Sequence, residues 1–185
     1  MKENVTNKGE RIEKIISEAE IKTRVKELGE EITKAYEGKE VTVVGILRGA
    51  SLFMADLVRE IKLPSVKIDF LSCSSYGNST TSSGEVKIEK DLSETVGGKN
   101  ILIVEDIVDS GRTISYIMNY LKDRKAASVR LCALFDKDER REFDVKSDWI
   151  GFDIPDKFIV GYGLDYAQKY RNLPYIGELF LDEEE

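Results

Sequence analysis

The 185-residue sequence has no histidine, two cysteines and three prolines. The absence of histidine excludes Ser-His-Asp and Cys-His catalysis, and it excludes every zinc site that uses imidazole. Acid-base chemistry in this protein therefore falls to carboxylates, lysine or tyrosine. Cys73 and Cys132 both lie within apolar runs, where a small buried hydrophobic residue is a commoner role than a disulfide or a reactive thiol.

Long hydrophobic runs are also missing. No segment approaches the ~18 to 20 apolar residues that span a bilayer, and Met1–Arg11 lacks the apolar segment of a signal peptide. We therefore expect a cytoplasmic protein without a membrane partner. The net charge of −7, to which Asp182–Glu185 contributes four negative charges, argues against charge-driven binding of nucleic acid.

Apolar periodicity predicts alternating strands and helices in one compact domain, residues 1–185. The predicted helices begin at the capping box Ser17–Glu20, at Ser51 and just after Gly111. The predicted strands are Val41–Leu47, Val66–Leu71, Val86–Ile88, Ile101–Val104 and Val129–Phe135. This order indicates an α/β fold with an open, mainly parallel sheet flanked by helices, whose core spans about 38–136. Short apolar pieces between glycines and prolines predict a small, irregular hood from about 12–20 and 150–181.

The segment Ser72–Gly84 is too polar to pack as a core element. Its thirteen residues include six serines, two threonines and two glycines. A long loop of this kind is either a disordered connector or a mobile lid over a site, and composition alone leaves both open.

The segment Val104–Thr113 has the strongest functional pattern. A buried strand brings Glu105 and Asp106 to its carboxyl end, where open α/β sheets bind ligands, and a turn then leads into a helix. Backbone amides, hydroxyls and a cation at such a turn suit a phosphate, with a polyol or magnesium beside it. We call this turn the phosphate turn; its residues are Asp109, Ser110, Gly111, Arg112 and Thr113.

A structural interpretation of the same segment also exists. Asp109 would then only cap the helix, while Glu105 and Asp106 would be solvated residues at the strand end. Three carboxylates within five residues, between an apolar strand and a phosphate-type turn, favour the functional interpretation.

This segment resembles the phosphoribosyl-diphosphate motif of the type I phosphoribosyltransferases. Further stretches resemble the 6-oxopurine (hypoxanthine-guanine) members in order and approximate spacing, over roughly residues 12–181. These stretches are Gly45–Ala50, Ser75–Tyr76, Asp136–Lys137 and Gly151–Tyr166. The resemblance implies the type I phosphoribosyltransferase fold and the transfer of a phosphoribosyl group to hypoxanthine or guanine. The products would be IMP or GMP and pyrophosphate.

The resemblance also implies roles around the phosphoribosyl diphosphate. Glu105 and Asp106 would face the ribose hydroxyls and Mg²⁺, for which carboxylate oxygens are suitable ligands. The phosphate turn would hold the 5′-phosphate, with Asp109 as the general base toward N7 of the purine. The pyrophosphate would be reached by Arg48, Gly49 and Arg171, with a non-proline cis peptide expected at the Leu47–Gly49 loop.

The purine site falls on later segments. By resemblance, Lys137 donates to O6, Phe158 stacks on the ring, Ile159 offers backbone groups, and Asp165 binds a second Mg²⁺. Ser75 and Tyr76 would open a flexible loop, 72–84, that closes over the ribose. The residues alone favour other roles. Lys137 would then be a solvated charge and Phe158 a core residue, and Arg48 and Arg171 would belong to surface ion pairs.

Other functional classes receive less support from the sequence. A nucleotide-sensing RNA-binding regulator with the same fold would need a basic face, and no basic run here is longer than two residues. A nucleoside triphosphatase would need the G-x-x-x-x-G-K-[ST] loop, which the sequence lacks. Members of the family that the sequence resembles usually form homodimers or homotetramers, so we expect a homo-oligomer.

Overall fold

The structure is a computed structural model that describes residues 9–75, 86–154 and 156–181. In chain order its elements are β1 (Glu10–Ile16), α1 (Glu18–Ala35), β2 (Val41–Leu47), α2 (Ser51–Glu60), β3 (Val66–Ser75), β4 (Val86–Lys90), β5 (Asn100–Val108), α3 (Arg112–Asp123), β6 (Ser128–Asp136), β7 (Trp149–Asp153), β8 (Ile159–Val160) and β9 (Ile176–Leu181). A short 3₁₀ helix, Asp138–Arg140, follows β6.

The described strands form a six-stranded and a three-stranded sheet. The large sheet has the order β4-β3-β2-β5-β6-β7, and its pairs are parallel except for the antiparallel β3–β4 hairpin. Because β2, β5 and β6 run parallel, their carboxyl ends meet at one edge of the sheet, which places the segments after them side by side. This is the open, mainly parallel α/β sheet that the sequence predicts.

The central strands are buried on both faces. On β5, Leu102 and Val104 pack with α1 and α2, whereas Ile101 and Ile103 pack on the opposite face with α3. This two-sided burial explains the continuous apolar runs of the sequence, since a strand covered on one face alone would alternate.

The helix α1 begins with the predicted capping box. The Ser17 hydroxyl accepts from the Glu20 amide at 3.3 Å, and the Glu20 carboxylate accepts from the Ser17 amide at 2.8 Å. Two of the four amides that a helix start leaves unpaired are thereby satisfied. The apolar face of α1 is buried, with Leu28 and Ile32 fully inaccessible.

The small sheet differs from the sequence prediction. The region 150–181 is predicted as irregular, yet β9 pairs antiparallel with β1 and with β8. The register joins Glu10 to Leu181. Strands this short and this far apart in the chain leave no local periodicity, because tertiary pairing rather than intrinsic propensity stabilises them.

Two strand boundaries also differ from the prediction. The strand β3 continues through Ser75, so the predicted loop does not begin at Ser72; Cys73, Ser74 and Ser75 pair with β4. The strand β5 likewise continues past Val104 to Val108, which places Glu105 and Asp106 within the strand. Polar residues extend both strands because backbone pairing with a neighbour does not depend on apolar side chains.

Within the described residues there is neither a disulfide nor a helix that could span a membrane. Cys73 and Cys132 are free thiols rather than a disulfide, and Cys132 is buried. No helix within the described ranges is long and apolar enough to cross a membrane.

Replacing Ser17 with alanine should lower the free energy of unfolding by about 1 kcal/mol, because the Glu20 amide would lose its partner at the start of α1. Urea unfolding followed by circular dichroism measures this change. Thr95→Ala, at an exposed position outside any helix, is the control and should change stability by less than about 0.5 kcal/mol. Equal losses in the two variants would contradict a capping role for Ser17.

Candidate active site

The phosphate turn lies between β5 and α3, at the carboxyl edge of the large sheet. Gly111 is the N-cap of α3 with φ +81°, a left-handed conformation that suits glycine, so the N-cap position belongs to Gly111 rather than to Asp109. The capping interpretation of Asp109 is therefore wrong. The Ser110 hydroxyl lies 3.4 Å from the Arg112 amide, and Thr113 lies in the first turn. The helix start remains available to an anion.

A segment after β6 packs behind this turn. The amides of Glu142 and Phe143 both donate to the Ser110 carbonyl, at 3.0 and 3.1 Å. The Arg112 guanidinium lies over the Phe143 ring, 5.2 Å from its centroid, and 3.5 Å from the Glu142 carboxylate. The predicted anion-binding role of Arg112 therefore requires its side chain to leave or share these partners.

Glu105 and Asp106 are desolvated carboxylates on consecutive positions of β5. Burial raises the pKa of Glu105 well above its usual range, and the neighbouring charge of Asp106 adds to the effect. Burial raises the pKa of Asp106 to about 6, although the Ile107 amide, at 2.9 Å, and the charge of Arg171 favour its ionised form. A ligand that brings positive charge to this pair would therefore be bound strongly.

The same pair fits a magnesium ion. Glu105 Oε2 is buried and has no hydrogen-bond partner within the described ranges, so a buried oxygen is left for a ligand. The described residues contain no group of three side chains that could hold a metal by themselves. Mg²⁺ commonly uses only one or two carboxylates and completes its shell with water and substrate oxygens, so two carboxylates are enough.

The loop after β2 contacts Asp106 directly. The peptide between Leu47 and Arg48 is cis, as the sequence analysis predicts. A Cβ added at Gly49 would overlap the Asp106 carboxylate, and a Cβ added at Gly163 would overlap the Gly49 carbonyl. Gly49 and Gly163 thus allow three chain segments to approach closely, and neither position tolerates a side chain in this arrangement.

The two predicted pyrophosphate arginines lie on either side of Gln168. Its Oε1 accepts from Arg48 Nη1 at 3.2 Å and from Arg171 Nη2 at 3.3 Å. Arg171 also pairs with Asp165 at 2.7 Å and donates to the Gly163 carbonyl at 2.6 Å. Arg171 therefore forms an ion pair in this structure, and Asp165 is already engaged where a second Mg²⁺ is predicted.

The predicted purine site contains Lys137 and Phe158. Lys137 is 9% exposed, and its ammonium donates to the Lys157 carbonyl at 2.8 Å and lies 3.4 Å from Asp156. Phe158 is 54% exposed and meets Tyr166 edge to face, with 5.7 Å between centroids. The interpretations from the residues alone are thus reversed: the lysine is buried and the aromatic ring is exposed.

Of the remaining predicted site residues, the structure describes Ile159 and Asp109 but not Tyr76 or the side chain of Ser75. Ile159 is buried at the start of β8. Asp109 is exposed and lies 3.7 Å from Arg140, which also pairs with Asp156. Tyr76 and the rest of the predicted loop up to Gly84, together with the side chain of Ser75, lie outside the described residues.

Sequence reasoning missed two connecting residues. Gln168 joins Arg48 to Arg171 from a turn in which Ala167 and Gln168 have positive φ, and Arg140 joins Asp109 to Asp156. Neither has a local signal, because each acts through a partner distant in the chain.

The protein-family model of the phosphoribosyl transferase domain matches residues 12–167 of this chain. The chain belongs to the phosphoribosyl transferase family. The predicted resemblance and the predicted fold of this phosphoribosyltransferase are thereby confirmed.

Individual relatives of this phosphoribosyltransferase agree. The hypoxanthine-guanine phosphoribosyltransferase of Bacillus subtilis is 54% identical over 91% of this chain and 93% of its own length. The bifunctional protein TilS/HprT of Listeria monocytogenes is 52% identical over 89% of this chain, which spans only 25% of that relative. A crystal structure of a hypoxanthine-guanine phosphoribosyltransferase from Bacillus anthracis is similar with a TM-score of 0.85 and 46% identity, over 90% of this chain and 97% of that one.

Replacing Asp106 with asparagine should raise the free energy of unfolding at pH 7.5 by about 1 to 3 kcal/mol, because a desolvated charge is removed. The folded pKa of about 6 exceeds the ordinary 3.8, so the contribution of Asp106 to stability is present below pH 4 and lost as the pH rises through 6. The gap between variant and parent should therefore widen between pH 5 and 7.5 in urea titrations.

Asp69→Asn is the matched control. The Phe70 and Ser93 backbone amides hydrogen-bond the Asp69 carboxylate and hold its pKa below the usual range, despite partial burial. This variant should be less stable than the parent at pH 7.5. A destabilised Asp106→Asn protein would show that the carboxylate is favourably placed in the free protein.

Proposed function

We propose that this chain transfers the 5-phosphoribosyl group from phosphoribosyl diphosphate to hypoxanthine or guanine. Pyrophosphate and IMP or GMP are the products, as expected of a purine salvage enzyme. The observation that carries this proposal is the meeting, at one sheet edge, of the phosphate turn, the Glu105–Asp106 pair and the Arg48–Arg171 pair. The names of the relatives support the same reaction, and none of those compared favours the RNA-binding alternative.

The phosphoribosyl diphosphate would lie along this edge. The start of α3 and the Ser110 and Thr113 hydroxyls hold the 5′-phosphate, and Glu105 and Asp106 face the ribose hydroxyls. A bound Mg²⁺ supplies charge neutralisation for the diphosphate and would be held through Glu105 and Asp106. Arg48 and Arg171 provide donors to the leaving pyrophosphate, whose negative charge grows as the bond to the ribose breaks.

Proton removal from the purine falls to Asp109. It is exposed at the end of β5, beside the phosphate turn, so its carboxylate is accessible to a base that lies over the ribose. Arg140 lies 3.7 Å from it and is held by Asp156, which fixes a positive charge next to the general base. The accessible position of the Asp109 carboxylate beside the phosphate turn suits it to the role of general base.

The purine site follows from Lys137 and the small sheet. Lys137 presents an ammonium whose position is fixed by the Lys157 carbonyl, and Phe158 offers an exposed ring face for stacking. We propose that β1, β8 and β9 form the hood that covers the base, and that Asp165 contributes to metal binding only when Arg171 moves to the pyrophosphate. A cytoplasmic location and a homodimeric or homotetrameric state stay predictions.

Replacing Asp109 with asparagine should lower turnover by roughly 100- to 10,000-fold, because the shape is kept while the proton acceptor is lost. Formation of IMP from hypoxanthine, phosphoribosyl diphosphate and magnesium measures the change, and the melting temperature should stay near that of the parent. Asp123→Asn, at the exposed end of α3, is the control and should leave turnover unchanged. Parental turnover in Asp109→Asn would exclude Asp109 as the general base.

Base selectivity should depend on Lys137. An ammonium has donors only, so it pairs with the O6 carbonyl of hypoxanthine or guanine and meets another donor in the amino group of adenine. Each unpaired group in a desolvated site costs about 1 to 3 kcal/mol, and hydrogen-bonded sites discriminate by roughly 10,000-fold. We therefore expect adenine to be nearly inactive in kcat/KM measurements.

Lys137→Met keeps the apolar stem, so it should raise KM for hypoxanthine while Lys122→Met, on the exposed face of α3, leaves KM unchanged. Equal kcat/KM for adenine and hypoxanthine in the parent would show that the purine site has been assigned to the wrong residues.

A further inference from the structure

Arg141 is a buried cation behind the phosphate turn to which neither the sequence analysis nor the proposed mechanism assigns a role. Its side chain is 12% exposed, and Nη2 pairs with Asp136. The other oxygen of Asp136 accepts from the buried Ser147 hydroxyl at 2.7 Å. These contacts anchor the guanidinium through Nη2.

The other two nitrogens of Arg141 are left unsatisfied. Nε and Nη1 are buried, and neither has a hydrogen-bond partner among residues 9–75, 86–154 and 156–181. Buried donors without partners are rare in native proteins because each loses its hydration without compensation. A structural ion pair with Asp136 alone does not require this arrangement, so the unpaired edge of the guanidinium needs another explanation.

The position of that edge supplies one. A Cβ added at Gly111 would lie 3.1 Å from Arg141 Cδ and 3.2 Å from Nη1, so the guanidinium packs against the backbone of the phosphate turn. The next two residues, Glu142 and Phe143, donate their amides to the Ser110 carbonyl and fix this packing. The side chain therefore packs directly behind the start of α3.

The neighbouring arginines, Arg140 and Arg112, have other partners and are more exposed than Arg141. Arg140 pairs with Asp156 and lies near Asp109, and Arg112 lies near Glu142 and over Phe143. Both are about half exposed, with 51% and 41% of the side chain accessible, so water screens their charges. The charge of Arg141 is buried and acts on the turn through protein rather than solvent, where electrostatic interactions are stronger.

We propose that Arg141 is a positioning residue of the phosphate site, which places a buried positive charge behind the turn and strengthens its binding of the 5′-phosphate dianion. Asp136 holds this charge in place and also partly neutralises it, so the pair sets the strength of the site. This proposal rests on the proposed function, because it assumes that the turn binds a 5′-phosphate.

The test compares two variants that break the same ion pair from opposite sides. Arg141→Met removes the positive charge and should weaken IMP binding about tenfold, because the dianion loses a favourable charge. Asp136→Asn removes the counter-charge and should tighten IMP binding about threefold, although the free protein melts at a lower temperature. Calorimetric titration with IMP measures both.

Opposite signs separate the electrostatic role from a structural one. Loss of packing would weaken binding in both variants, so weaker binding in both, or no change in either, would overturn the proposal. Inosine, which lacks the 5′-phosphate, is the matched ligand and should bind each variant within about twofold of the parent. Lys146→Met removes an exposed charge from the same segment and should leave IMP binding unchanged.

Two further arms keep the result interpretable. If Arg141→Met does not fold, the double variant Asp136→Asn/Arg141→Met replaces it, since removing both charges leaves no unpaired one, and it should also bind IMP more weakly than the parent. If that protein is unfolded as well, Asp136→Asn decides alone, and unchanged or weaker IMP binding overturns the proposal. A folded parent that does not bind IMP would instead contradict the proposed function.

Discussion

The site depends on the close approach of Gly49 to the Asp106 carboxylate. The parallel pairing of β2 with β5, in which Gly45 is opposite Val104, brings the residues after β2 beside the end of β5. Only a residue without a side chain fits at position 49, and Gly163 then closes over the Gly49 carbonyl from the region beside the small sheet. One backbone contact thus joins the three segments that carry the proposed ribose, pyrophosphate and metal ligands.

The same crowding explains the electrostatics. Asp106 is desolvated because Gly49 lies against it, and Glu105 is desolvated on the same strand, so both carboxylates hold protons more tightly than in water. The cations nearby are already engaged: Arg171 with Asp165 and Gln168, and Arg48 with Gln168. In the proposed function, substrate binding would therefore be an exchange of partners, in which phosphate groups replace protein contacts of arginines that are already ordered.

Much of the central sheet could be predicted from the sequence because its strands are buried on both faces and leave continuous apolar runs. The capping box at Ser17 is an equally local sequence signal, and the structure contains both the predicted central strands and the capping box. The small sheet could not be predicted, since Glu10 pairs with Leu181 and neither segment has a periodicity of its own. Lys137 and Phe158 were misjudged by residue type alone, because a binding site buries a charge and exposes an aromatic ring where general burial preferences indicate the reverse.

Because the sequence has no histidine, carboxylates with raised pKa values determine how the site depends on pH near neutrality. Histidine is the side chain that ordinarily titrates near neutrality, but here Asp106 does so with a pKa of about 6, and burial also raises the pKa of Glu105 well above its usual range. These residues face the ribose and the metal in the proposed mechanism, whereas Asp109 carries the proton transfer. In that mechanism a fall in pH toward 6 would oppose binding of magnesium at Asp106, because protons compete with the metal for the same oxygens. Under the proposed function, desolvation at the Gly49 contact thus links the geometry of the fold to the pH at which the site would bind its substrate.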